Sequence, residues 1–169
     1  MRPRWVLALL GAAAVSGCAG YRLGPANGMA AGEKSIQVRP FANATLEPRL
    51  TDAVTGQLRR ELQREGTFRL ATHDDGDIVL SGSITRYNRR EISVSTADNL
   101  TPLDFQLTLS AHVTARERGS DKVLLDKVVT ASAIVRIGPD LTSTEREALP
   151  VLAGDLARNV TALLVDGTW

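Results

Sequence analysis

Residues 103–116 constrain the fold of this chain more than any other stretch. Leu103, Phe105, Leu107, Leu109, Ala111, Val113 and Ala115 alternate with Asp104, Gln106, Thr108, Ser110, His112, Thr114 and Arg116. A two-residue period sustained over that length is a β-strand with one buried and one wet face. Gly119, Ser120 and Asp121 supply a hairpin turn, so residues 123–137 return as its partner. Upstream, residues 78–94 form another long β-type stretch, apolar at first and then charged at Arg86, Arg89, Arg90 and Glu91. Asn99 and Pro102 mark the turn between the two long strands.

The flanking segments are helical or short. In residues 34–41, Ile36 and Val38 alternate with polar neighbours until Pro40, which ends the strand or places it at an edge. Leu50, Ala53, Val54, Leu58 and Leu62 recur at helical spacing after Pro48, and Gly66 stands at the C-terminal stop. Residues 68–71 read as a short strand and residues 73–77 as a turn. From about Ser143 to Val165 a second stripe, Leu149, Leu152, Ala153, Leu156, Val160, Leu163 and Leu164, predicts another helix. Pro150 inside that span marks its true first turn or kinks it. The order β-α-β-β-β-β-α predicts an α+β fold: a mostly antiparallel four- to five-stranded sheet with two amphipathic helices packed on one face. The other face presents Thr108, Ser110, His112 and Thr114, a hydroxyl-rich surface suited to water or to the polar lumen of a large β-barrel.

The N-terminus carries a different signal. Arg2 and Arg4 precede an apolar run over residues 5–15, too short for the ~20 residues that span a bilayer. Small residues then lead to Cys18, the single cysteine of the chain. A charged start, a short apolar run and a small-residue exit are the marks of a secretory signal. Val15-Ser16-Gly17-Cys18 resembles a bacterial lipobox, with Val15 where Leu is commoner. That resemblance implies lipidation of Cys18 and cleavage before it, and Ala19 rather than Asp resembles the outer-membrane sorting pattern. A lone free thiol in an oxidising compartment would be a liability, which favours the same reading. The chain is thereby divided into a signal peptide (1–17), a lipidated Cys and flexible tether (18–33) and one domain (34–169). Two or three acyl chains hold a protein stably where a single one holds marginally.

Charge and motif content exclude several functions. The chain carries 20 Lys+Arg and 19 Asp+Glu, and loss of Arg2 and Arg4 leaves 18 against 19. Such balance argues against nucleic-acid binding. His73 and His112 stand apart, and the Asp74, Asp75 and Asp77 turn has no closing Glu at calcium-loop spacing. No phosphate loop, nucleophile elbow or zinc motif occurs, so the expectation is a non-enzyme without metal or cofactor. The candidate functional cluster is Arg86, Arg89 and Arg90 near the end of the long hairpin, with Arg136 on a neighbouring strand. Guanidinium groups bind phosphate bidentately, whereas charges at a sheet edge also serve simply to discourage aggregation.

Several segments resemble the lipopolysaccharide-assembly lipoprotein family, LptE. They are Gly20-Tyr21-Arg22-Leu23, the run from Ile36 through Pro40-Phe41-Ala42-Asn43 to Thr45, the helix ending at Gly66 with Phe68-Arg69-Leu70, and Asp77-Ile78-Val79-Leu80-Ser81-Gly82-Ser83-Ile84. The resemblance implies an outer-membrane lipoprotein facing the periplasm, seated in an LptD-like β-barrel translocon. It also implies help in folding that barrel and contact with lipopolysaccharide, for which Arg86, Arg89, Arg90 and Arg136 are the candidate phosphate ligands. The strand ending in Pro-Phe-x-Asn is also similar to peptidoglycan-synthase activators and curli-secretion lipoproteins. The long hairpin built on residues 103–116 favours the first family.

Overall fold

The structure, a computed structural model, describes residues 31–94, 102–136 and 141–167. Cys18, its lipobox and nearly all of the expected tether lie outside the described residues, as does the turn at Asn99. The elements are β1 (Ser35–Val38), β2 (Ala42–Asn43), α1 (Leu50–Glu65), β3 (Arg69–Leu70), β4 (Ile78–Val94), β5 (Pro102–Glu117), β6 (Val123–Arg136) and α2 (Leu141–Val165). Strands run in the order β3-β1-β4-β5-β6, with β2 also paired to β4.

The expected α+β class holds, but the sheet is mixed and six-stranded rather than mostly antiparallel with four or five strands. β4, β5 and β6 are antiparallel to their neighbours. β1 pairs in parallel with both β3 and β4, and β2 pairs in parallel with β4. The cause is α1. A helix between two strands carries the chain back to its starting end, so the next strand enters parallel to the first. Pro40 then breaks what would be one long strand into β1 and β2, which lie successively along the same side of β4.

One core holds these layers together. Ile36, Ile78, Leu80, Ile84, Leu107, Leu109, Ala111, Val113 and Ala115 are fully buried on one sheet face. They meet Leu50, Val54, Leu58 and Leu62 of α1 and Leu152, Leu156, Val160 and Leu164 of α2. α1 lies against β1, β2 and β3, α2 covers β5 and β6, and the helices pack on each other. Ser143–Val165 is apolar and long enough to cross a membrane by composition alone, yet half of it is buried here against the protein. Pro150 lies inside α2, not in its first turn. Its ring sits on the exposed side, and its carbonyl accepts a hydrogen bond from Gln57 Nε2 at 3.1 Å. At the other helix, Gly66 adopts φ 82° and its N–H bonds Leu62 O, a left-handed stop that suits glycine.

Side chains fix the strand starts. Asp77 Oδ2 accepts hydrogen bonds from Ser35 N at 2.8 Å and Ser35 Oγ at 2.6 Å, while Asp77 N donates to Ser35 Oγ. These bonds hold the Asp77 carboxyl below its ordinary value of 3.8. Phe41 turns into the core over Gly82, and a Cβ on Gly82 would lie 2.5 Å from the Phe41 ring and 2.6 Å from His112 O. Along the outer edge of β6, Asn159 of α2 donates to Thr130 O at 3.0 Å, which occupies one exposed edge carbonyl.

Candidate ligand surface on the outer sheet face

A single inserted residue decides where the candidate arginines point. Ile84 is opposite Ala111 and Arg86 is opposite Ser110, so Thr85 is an extra residue in β4, a β-bulge. Thr85 Oγ1 donates to Ser110 O at 3.2 Å and so pins the bulge. Before it, the even-numbered Ile78, Leu80 and Ile84 face the core. After it the parity reverses. Tyr87 and Arg89 oppose the buried Leu109 and Leu107, whereas Arg86, Asn88 and Arg90 oppose Ser110, Thr108 and Gln106 on the outer face, away from both helices.

The structure therefore divides the cluster between two faces. Arg89 lies on the helix side, its guanidinium carbon 5.3 Å from the Phe105 ring centroid and its Nη1 2.6 Å from Glu145 of α2. It ties the distal hairpin to the last helix. Beside it, desolvation, with Glu145 and Glu47 nearby, pushes the Tyr87 phenol up to about 12, so Tyr87 stays protonated. Arg90 on the outer face donates to Gln106 Oε1 at 2.8 Å, a neutral partner, and makes no ion pair among the described residues. Arg136 reaches the same face from β6, two strands away, and forks onto Asp104 at 2.9 and 3.3 Å. Arg136 and Ser93 together hold the Asp104 carboxyl below its usual range. Arg86 makes no ion pair or side-chain hydrogen bond among the described residues. It borders a cleft of about 390 Å³ lined by Ala44, Thr45, Leu46, Glu47, Tyr87 and Asn88 together with Thr85.

The same face holds residues that the sequence reading passed over. Val128 and Ile134 of β6 are 65% and 69% exposed, paired across from His112 and Gln106. Leu46, at the mouth of the Arg86 cleft, is fully exposed. The signal was the register: once the Gly119 turn sets the hairpin, Val128 and Ile134 fall on the wet face of β5. Ser110 with Thr130 (3.0 Å) and His112 with Asp126 (2.6 Å) fill the middle of the face. Cations stand at the distal end, hydroxyls between and isolated apolar side chains at the margin, a combination whose chemistry is complementary to an amphiphile bearing negative charge.

Comparison with known proteins now decides the family. The family model described as LptE, lipopolysaccharide-assembly, matches residues 33–164. The chain belongs to the LptE family. The match runs from just before β1 almost to the end of α2 and so takes in every element of the sheet and both helices. Curated proteins give no match. Among solved structures, the chain is similar to the PelC dodecamer from Paraburkholderia phytofirmans, at 19% identity and TM-score 0.53, covering 85% of this chain and 96% of that one. It is similar to a minor lipoprotein from Acinetobacter baumannii at 17% identity and TM-score 0.53, over 78% and 92% of the two chains. A hypothetical protein from Chlamydia trachomatis aligns at 12% identity and TM-score 0.56, over 79% and 95%. At such identities these structures share the fold alone. The LptE match supports a role in lipopolysaccharide assembly.

Proposed function

We propose that this LptE-family chain is the outer-membrane lipoprotein of a lipopolysaccharide translocon. Anchored by acylated Cys18, it plugs an LptD-like β-barrel, assists the barrel's assembly and contacts lipopolysaccharide on its outer sheet face. The observation that carries this reading is the family match over residues 33–164, together with a sheet whose outer face is polar and uncovered by either helix. A polar face is compatible with the water-filled lumen of a large barrel. Arg86 and Arg90 supply the lipid A phosphate contacts, joined by Arg136 when a phosphate displaces Asp104, and Arg89 positions the strand from the helix side. The rival readings, a peptidoglycan-synthase activator or a curli-secretion lipoprotein, have no corresponding support.

The test is lipopolysaccharide binding by the full chain with Arg86→Glu and Arg90→Glu together, beside Arg89→Ala. Loss of two charge-assisted contacts weakens binding by roughly ten-fold or more, whereas Arg89→Ala leaves it nearly intact and lowers stability instead. Equal binding by the double variant and the parent would contradict the assignment of the outer face.

A further inference from the structure

A second cationic site lies at the opposite end of the same face, and the distal arginines play no part in it. Arg116 of β5 pairs across from Val79, and Arg39 follows β1 on the same side. With Arg118, just after β5, they line a cleft of about 250 Å³ that also takes in Val79, Ser81, Glu117 and Asp121. Ten strand residues separate Arg116 from Gln106, so this cleft is roughly 34 Å from the distal arginines at about 3.4 Å per residue.

The cleft is built rather than incidental. Arg118 Nε donates to Gly76 O at 2.9 Å and its Nη2 to Gln37 Oε1 at 2.6 Å, with Asp74 at 3.3 Å. Gly76 is itself fixed: it is buried, and a Cβ there would lie 2.7 Å from both Cβ and N of Gln37. The carbonyl that orients Arg118 therefore belongs to a loop packed hard against β1. Asp74 stands between Arg118 and Arg39, 3.8 Å from the latter, and aligns both guanidinium groups. Arg116 is exposed and makes no ion pair or side-chain hydrogen bond among the described residues. Of the carboxylates that line the cleft, Glu117 is held by Lys34 at 2.6 Å and by Ser120 at 2.5 Å. Asp121 stands in the turn at φ 56°. Counting Lys34, which pairs with Glu117, four cations (Lys34, Arg39, Arg116 and Arg118) stand against three carboxylates (Asp74, Glu117 and Asp121) at and beside the cleft.

We propose that the Arg39, Arg116 and Arg118 cleft binds a phosphoryl group. Three guanidinium groups lining one cleft, Arg116 among them without an ion pair among the described residues, match a tetrahedral oxyanion with three or more acceptor oxygens better than a planar carboxylate with two. Arg118 is pre-organised by its fixed partners, so little rotamer freedom is lost when it engages the ligand. The bearer is a phospholipid headgroup or free phosphate, the same chemistry from two sources. The site stands whether or not the distal face binds lipopolysaccharide.

The experiment follows the side-chain Nε–H resonances of the full chain by NMR during titration with inorganic phosphate, then with soluble short-chain phosphatidylglycerol. A chloride titration at matched ionic strength is the reference. Saturable shifts at Arg116 and Arg118 are expected, weakened about ten-fold by Arg116→Glu, which removes a group without a structural partner and replaces it with a repelling charge. Arg90→Glu leaves those shifts unchanged. Tighter binding of the lipid identifies the headgroup as the source, and binding of phosphate alone identifies the free ion. Shifts that chloride reproduces, or that survive Arg116→Glu in a chain of unchanged circular dichroism, would overturn the site.

Discussion

Gly82 occupies a place that no larger residue can take, because Phe41 and the His112 carbonyl already close over it. Gly82→Ala is expected to lower stability by about 1–3 kcal/mol, the usual cost of overpacking a dense core, read as a shift in urea midpoint. An unchanged midpoint would mean that Phe41 swings aside at no cost. Arg89 contributes at its own scale: Arg89→Ala removes a ring contact and an exposed ion pair, a loss of about 0.5–1 kcal/mol after solvent screening. Asp77 sets a pH dependence. Its carboxyl is depressed in the folded chain by the two Ser35 hydrogen bonds. A depressed acid stabilises the fold above its unfolded value, and that stability is lost as pH falls through the folded pKa. Denaturant midpoints should therefore begin to fall near the unfolded value of 3.8 and continue downward below it. Asp77→Asn should flatten that part of the curve; an identical slope in the variant would place the acid sensitivity elsewhere.

At the level of elements, α2 makes the sharpest prediction. Pro150 interrupts a 25-residue helix at a solvent-facing position. Pro150→Ala restores a helical N–H and should raise stability by roughly 1 kcal/mol or more, since proline is the least favourable residue in a helix interior. A lower melting temperature in that variant would show that the ring has a packing role. Most elements were legible before the structure, because residues 103–116 and the two apolar stripes carry unambiguous periods. The parallel pairing of β1, β2 and β3 was not. Strands of four, two and two residues hold too little pattern to report direction, which is set instead by the path of α1. The Thr85 bulge explains the rest of the difference. Arg86, Arg89 and Arg90 look like one cluster along the sequence, yet one inserted residue sends Arg89 to the helix side and the others to the outer face. Its trace is present in the order of residues, since the apolar run at 78, 80 and 84 resumes at the odd position Tyr87.

Over the whole molecule, a single core joins two helices to one face of a sheet and leaves the other face to solvent or partner. On the proposed function, that asymmetry suits a protein held between a membrane anchor and a surrounding wall. On the same proposal, Cys18→Ala should abolish acylation and release the chain to the periplasm; a variant still found with the membrane on fractionation would mean that a protein partner rather than the lipid holds it. The most direct measurement is affinity isolation of the tagged full chain from detergent-solubilised outer membranes, resolved on gels with and without boiling. The account predicts a large, heat-modifiable β-barrel in stoichiometric amount. A peptidoglycan synthase in its place, or the chain alone, would contradict it.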